Sequence, residues 1–542
     1  MSNIDPNHLV SELRENINNQ DLIKANLVLQ YWDQIDLKTQ NRLLQILEQG
    51  DPEFVGPVLS NLVRNNPEMA AQQPRIKEAI IAVALQDPGF LFRAIEDKIP
   101  PREMFVSVAG ELSLTGTSEI LQNALTREMD EQILTEIIKA MGQLGDPTAV
   151  NAISEYLYSN HRSLMLAAVT SLGRIGSPTA MQRLAEKMGS DTQLDLLILD
   201  VFSRVQDQVS LGKLNQVLSS HYAHLRNFAK AKMVRVGAKA VPMLCENLLR
   251  EDPDLLIHTL NVLGEIKDPS SVASIRKLLG TEPGDPNVRF AAYEALGNLP
   301  LDKGAYILAR GLTDPEEQIC VVAASAIDRN LNPVLTAGVK NMVRQRDSDA
   351  LKTVRSIIRA QAKNLFMALL EEEVFQELAV RFLSSNAPPD DRKYFYQLLN
   401  EGGYPDLAQR MEPDRPAEKI RPMAAAVDDS RMILNIYKSV LYELGYDPVL
   451  FEFPQQALEW IASNKPEIVF TDLNMPAMTG VELISRIREI YPEEELPVIM
   501  VTTQNEVQDN EKARLAGVSA ITFKPFSADS LRKATEGARA ER

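Results

Sequence analysis

Residues 468–480 read IVFTDLNMPAMTG, and this stretch decides how the final part of the chain folds. Ile468, Val469 and Phe470 form a short apolar run of the kind that fills a buried strand. The run ends at Asp472, and Gly480 opens an amphipathic helical pattern over 480–490. Working outward, similar apolar runs fall at 423–427 (MAAAV), 449–451 (VLF), 497–501 (PVIMV) and 520–523 (AITF). Helical stretches separate or follow them at 430–444, 455–463, 505–516 and 527–538. Strands alternating with helices of this length predict parallel βαβ units. Five of them predict a doubly wound α/β domain with a five-stranded parallel sheet over 423–542.

Each strand ends in chemistry. The first stops at Asp428-Asp429, the third at Asp472, the fourth at Thr502 and the fifth at Lys524-Pro525. In an open parallel sheet such groups gather at the carboxyl edge. Taken singly, each acid has the ordinary reading of a loop residue that closes a turn. Together they predict three carboxylates, a hydroxyl and an amine in one pocket. Three clustered carboxylates repel one another and call for a divalent cation, and an all-oxygen donor set suits Mg²⁺. With the cation neutralising an incoming phosphoryl group, one carboxylate oxygen can attack phosphorus while lysine and threonine hold the phosphoryl oxygens.

These phrases resemble the response-regulator receiver domain of the chemotaxis type: VDDS at 427–430, TDLNMPAMTG at 471–480, MVTT at 500–503 and AGVSAITFKPF at 516–526. The intervals fit that family: 43 residues from Asp429 to Asp472, 30 from there to Thr502, and 22 more to Lys524. The resemblance implies that Asp472 accepts the phosphoryl group from a sensor histidine kinase. It implies that Asp428, Asp429, Asp472 and the main-chain carbonyl of Asn474 hold Mg²⁺, and that Thr502 and Lys524 engage the phosphoryl oxygens. It also implies a cis Lys524–Pro525 bond. Two positions depart from the pattern. Ile521 stands where the family usually carries an aromatic, which removes one partner of the family's threonine–aromatic relay. Thr503 stands where a small residue is common, and its bulk is expected to slow dephosphorylation.

Upstream the sequence repeats. A small residue, a polar one and an aliphatic recur, as in Gly110-Glu111-Leu112, Gly142-Gln143-Leu144, Gly173-Arg174-Ile175, Gly264-Glu265-Ile266 and Gly297-Asn298-Leu299. Ser203-Arg204-Val205 and Val234-Arg235-Val236 keep the phase, and the aliphatic returns after 32, 31, 30, 31, 30 and 33 residues. GDPTAV at 145–150 and KDPSSV at 267–272 place an Asp-Pro turn between helices. Paired short helices that cannot bury an apolar face alone must stack into an all-α superhelical solenoid. The pattern resembles HEAT-like repeats, also seen in proteins of the phycobilisome-lyase type. It is clearest over 100–335. The array is assigned to 1–407, with 1–100 and 335–407 amphipathic but unphased. A Pro-rich linker is assigned to 408–422.

Composition narrows the function. With 57 Lys+Arg against 74 Asp+Glu, the net charge of −17 argues against a non-specific nucleic-acid binder. Cys245 and Cys320 build no disulfide framework, and neither a signal peptide nor a membrane span is read, so a cytoplasmic protein is expected. His221 and His224 form an HxxH without further ligands and read as structural. No nucleotide-binding glycine loop is present. The expectation is a bacterial-type two-component response regulator, a phosphoprotein and not an enzyme beyond its own phosphotransfer and dephosphorylation. The array would be its output, binding a protein partner whose identity the sequence does not name. The alternative is a receiver-regulated lyase or chromophore-handling enzyme, for which the array offers no nucleophile–base pair.

Overall fold

The computed structural model describes residues 5–220, 222–301, 305–411, 421–475, 478–502 and 507–540. The chain forms two compact units, 1–213 and 214–542.

The first unit is a run of helix pairs from Pro6–Asn18 to Thr192–Val205. The Asp-Pro turns work as capping devices. Asp51, Asp87 and Asp146 each accept a hydrogen bond from the backbone two residues on, with proline in the first turn that follows. The unphased N-terminal stretch is helical as expected: Leu43, Leu44, Ile46 and Leu47 are buried from the helix Leu37–Gln49. The repeated glycine has a steric reason. A methyl group on Gly142 would stand 2.6 Å from Ser171 Cα, so these helices approach backbone to backbone.

The second unit continues the array and ends in the α/β domain. Its array helices include α1 (Ala223–Val236), α2 (Pro253–Ile266), α3 (Pro286–Asn298), α4 (Glu317–Arg329), α5 (Ser348–Arg359) and α6 (Pro389–Glu401). Gly264 of α2 packs on Ala295 of α3, and Gly297 of α3 on Ala326 of α4, repeating the close approach. The stretch assigned as linker begins inside the short helix Pro405–Gln409, and Met411 is buried; residues 412–420 lie outside the described residues.

The C-terminal sheet has β1 (Met423–Val427), β2 (Asp447–Phe451), β3 (Ile468–Thr471), β4 (Val498–Thr502) and β5 (Ala520–Phe523). All neighbours are parallel in the order β2-β1-β3-β4-β5. Strand β2 starts two residues before the expected 449 and takes in Pro448, which an edge strand tolerates. Helices α7 (Arg431–Glu443), α8 (Pro454–Asn464), α9 (Gly480–Arg488), α10 (Val507–Leu515) and α11 (Ala528–Ala540) follow the strands in turn. One face of the sheet packs Val427, Val469 and Met500 against Ile461, Ile484 and Ile487 of α8 and α9. On the other, Tyr437 of α7 lies 4.4 Å from Phe526, centroid to centroid, and 5.9 Å from Phe470. The strand order reverses beside β1, between β2 and β3, which puts a crevice at their carboxyl ends.

Candidate functional site

The sheet delivers the acids to that crevice through its own hydrogen bonds. Asp428 N–H donates to Phe451 O at 3.1 Å and Asp472 N–H to Val427 O at 2.9 Å, so both acids are held one residue beyond their strands. Lys524 N–H donates to Thr502 O at 2.8 Å, which fixes the end of β5 against the end of β4. The side chains then meet. Lys524 Nζ lies 2.6 Å from Asp428 Oδ2 and 2.9 Å from Asp472 Oδ1. The second oxygen of each acid is also held: Asp428 Oδ1 accepts from Ser430 N–H and Asp472 Oδ2 from Asn474 N–H, each at 3.0 Å. The Lys524–Pro525 bond is cis. Gly480 allows the turn after Asp472 to close, because any Cβ there would collide with the Asp472 carbonyl oxygen.

Electrostatics follow from burial. Asp428 is fully buried, and its carboxyl is pushed up to about 7. Desolvation is the largest cause; Lys524 pulls it back and the charge of Asp472 pushes it further. Asp429 is also raised, by desolvation first and by Asp472 second. Burial opposes the charge on Lys524, but the two carboxylates outweigh it and hold the ammonium above its ordinary range.

Asp428, Asp429, Asp472, Asn474 and Lys524 all line one cavity of about 390 Å³. Thr502 is buried at the end of β4 and is not among the lining residues. Thr503 and His221 lie outside the described residues; His224 is exposed at the start of α1. Ile521 packs half-buried against the core of the sheet, while Phe523 is 43% exposed, so neither forms a buried aromatic relay. Among the described residues no three His, Cys, Asp or Glu side chains form a ready-made metal cage, and Lys524 sits between Asp428 and Asp472. The donor set nonetheless fits Mg²⁺. It is all oxygen, and Asp428 and Asp429 are raised by desolvation first and by the neighbouring carboxylate charge, a strain that a divalent cation relieves.

Sequence reasoning missed the other half of the cavity wall. Residues of α1 to α4 line it, and the array grips the loop that carries the lysine. Asn287 Nδ2 donates to Lys524 O at 2.7 Å, and Gln318 Nε2 donates to Phe526 O. Lys438 of α7 pairs with Asp391 of α6 at 2.7 Å, with only 12% and 3% of these side chains exposed. Polar residues on repeat helices carry no spacing signal, so nothing in the sequence marks them.

An open parallel sheet whose carboxyl edge joins two aspartates to a lysine defines a CheY-like α/β domain. The comparisons agree: the response regulator receiver domain family matches residues 424–536, and HEAT repeats match 118–196 and 241–328. A chemotaxis protein CheY homolog of Campylobacter jejuni is 37% identical over 112 residues, covering 20% of this chain and 86% of that protein. Chemotaxis protein CheY of Pseudomonas aeruginosa is 33% identical over 111 residues, 20% of this chain and 90% of its own. Among solved structures, chemotaxis response regulator CheY4 of Vibrio cholerae aligns at 26% identity over 22% of this chain and 99% of its own, with a TM-score of 0.21. The chain belongs to the response-regulator receiver family, the receiver following HEAT repeats, and so to two-component signalling.

Proposed function

We propose that the chain is a phosphorylated response regulator whose output is its repeat array. Asp472 receives a phosphoryl group from a histidine kinase: an Asp472 carboxylate oxygen forms the new bond to phosphorus, and the bond to the donor nitrogen breaks with its electron pair. Lys524, already on Asp472, would follow the phosphoryl oxygens, and Thr502 would supply a hydroxyl from the neighbouring strand. Mg²⁺, held by Asp428, Asp429, Asp472 and the carbonyl of Asn474, would neutralise phosphoryl charge. The observation that carries this reading is Lys524 Nζ between Asp428 and Asp472 at the carboxyl edge. The array then changes what protein it binds, since Asn287 and Gln318 hold the backbone of the lysine's loop. On this reading the protein works in the cytoplasm and catalyses nothing beyond its own phosphorylation and dephosphorylation. No described helix is long and apolar enough to cross a membrane.

Incubating the full chain with acetyl phosphate and Mg²⁺ tests it. Wild type is expected to gain one phosphoryl group by intact mass, and Asp472→Asn none. Uptake by Asp472→Asn equal to wild type would reject Asp472 as the acceptor.

A further inference from the structure

The acceptor cavity is walled by two domains, and its cations are unequally occupied. Lys524 is paired with Asp428 and Asp472, Arg431 with Glu452, and Arg329 donates to Asn298. Lys230 of α1 lines the same cavity, yet it makes no hydrogen bond and no ion pair with any described residue. The opposite charges that reach it are Asp429 first, then Glu265 and Asp472. A half-buried ammonium without a direct partner gains most from an anion that arrives to meet it. Its neighbour one turn earlier, Arg226, is committed to Ser220 O at 2.5 Å.

We propose that Lys230, carried by the repeat array, is a second phosphoryl-facing cation of the acceptor site. An aspartyl phosphate on Asp472 is then clasped between Lys524 of the receiver and Lys230 of the array. The inference rests on Asp472 being phosphorylated and adds where the phosphoryl group is read: at the array's own wall. The docking bonds from Asn287 and Gln318 hold that wall over the crevice. Glu265 and Glu294 line the same wall with the opposite sign, and Arg329, the wall's other array cation, donates to Asn298, which leaves Lys230 as the array group that an incoming dianion would recruit. With acetyl phosphate the step balances. The Asp472 oxygen–phosphorus bond forms, the acyl oxygen–phosphorus bond breaks, and acetate leaves with the electron pair.

The test uses the full chain with Mg²⁺ and acetyl phosphate, comparing wild type with Lys230→Met and Lys230→Arg. Phosphorylation rate is followed by intact mass, and binding of beryllofluoride, a phosphoryl mimic, by fluorine NMR. Lys230→Met is expected to lower both the rate and the beryllofluoride affinity by about tenfold, the scale of one charge-assisted bond. Lys230→Arg, which keeps the charge, is expected to stay within about threefold of wild type. Thermal midpoints of both variants check that the fold is intact. Lys230→Met behaving as wild type overturns the proposal, and so does equal loss in Lys230→Met and Lys230→Arg, which would mark a packing role. If wild type takes up no phosphoryl group, the proposed function falls first and this inference with it.

Discussion

Asp428 shows how one buried carboxyl couples the site to pH. Its folded value of about 7 lies above the ordinary 3.8, so the folded chain holds a proton there that the unfolded chain releases. This group's contribution to stability is therefore fully present below 3.8 and is lost as pH rises through about 7. Mg²⁺ binding at the proposed site would have the opposite sign, because the ion would have to displace that proton. Mg²⁺ affinity, measured by titration calorimetry, is expected to weaken as pH falls from about 8 to about 6, with proton uptake by Asp428 as the cause. Asp428→Asn should weaken binding and flatten that dependence. A dependence equally steep in Asp428→Asn would assign the proton elsewhere. Gly480 works at the same scale by steric means alone: it is the residue that lets the Asp472 carbonyl sit where the loop needs it.

At the scale of elements, the repeat glycines set the spacing of the helices that wall the cavity. On Gly297 a methyl group would meet Ala326 Cβ at 2.8 Å and Cα at 3.0 Å, so α3 and α4 would have to part. Gly297→Ala is expected to destabilise the chain by about 1–3 kcal/mol through overpacking. Gly338 lies in the helix Pro333–Arg344 with nothing near its would-be Cβ, so Gly338→Ala is expected to stabilise by about 0.5–1 kcal/mol through helix propensity. Urea melts of the two variants separate the explanations. Equal shifts would mean that propensity, and not close approach, governs these glycines. The helix expected over 505–516 is present as α10, and its Lys512 lies 5.7 Å from the Tyr222 ring of the array.

Across the molecule, the receiver is docked on the array by a few polar links, of which Lys438–Asp391 is buried and Arg359–Glu443 is exposed at its glutamate end. Asp391 accepts from Lys438 at 2.7 Å and from Gln361 at 2.9 Å, and Arg359 of α5 reaches Glu317 at 3.1 Å and Glu443 at 3.4 Å. Removing one member of a buried pair strands the other, at a cost of about 3–5 kcal/mol. Lys438→Met is expected to loosen the docked receiver while its sheet stays folded. Hydrogen exchange checks this: α6 and α7 should exchange faster, and β1 and β3 should keep their protection. Equal loss of protection in the strands would show that the contact supports the receiver's own fold.

The sequence by itself determined the two architectures and the meeting of two aspartates with a lysine at the sheet's edge, because each rests on local signals. Apolar runs ending in acids place β1 and β3, Asp-Pro caps and an aliphatic returning about every 31 residues place the repeats, and three short phrases place Asp428, Asp472 and Lys524. Only the tertiary structure decided that α1 to α4 line the crevice at the carboxyl edge, that Asn287 and Gln318 hold the lysine's loop, and that Lys230 lines the same cavity as the acids. Those residues are hundreds of positions from their partners and have no periodicity to betray them. Their meaning comes from charge and hydrogen-bonding groups meeting across an interface, which a linear pattern does not encode.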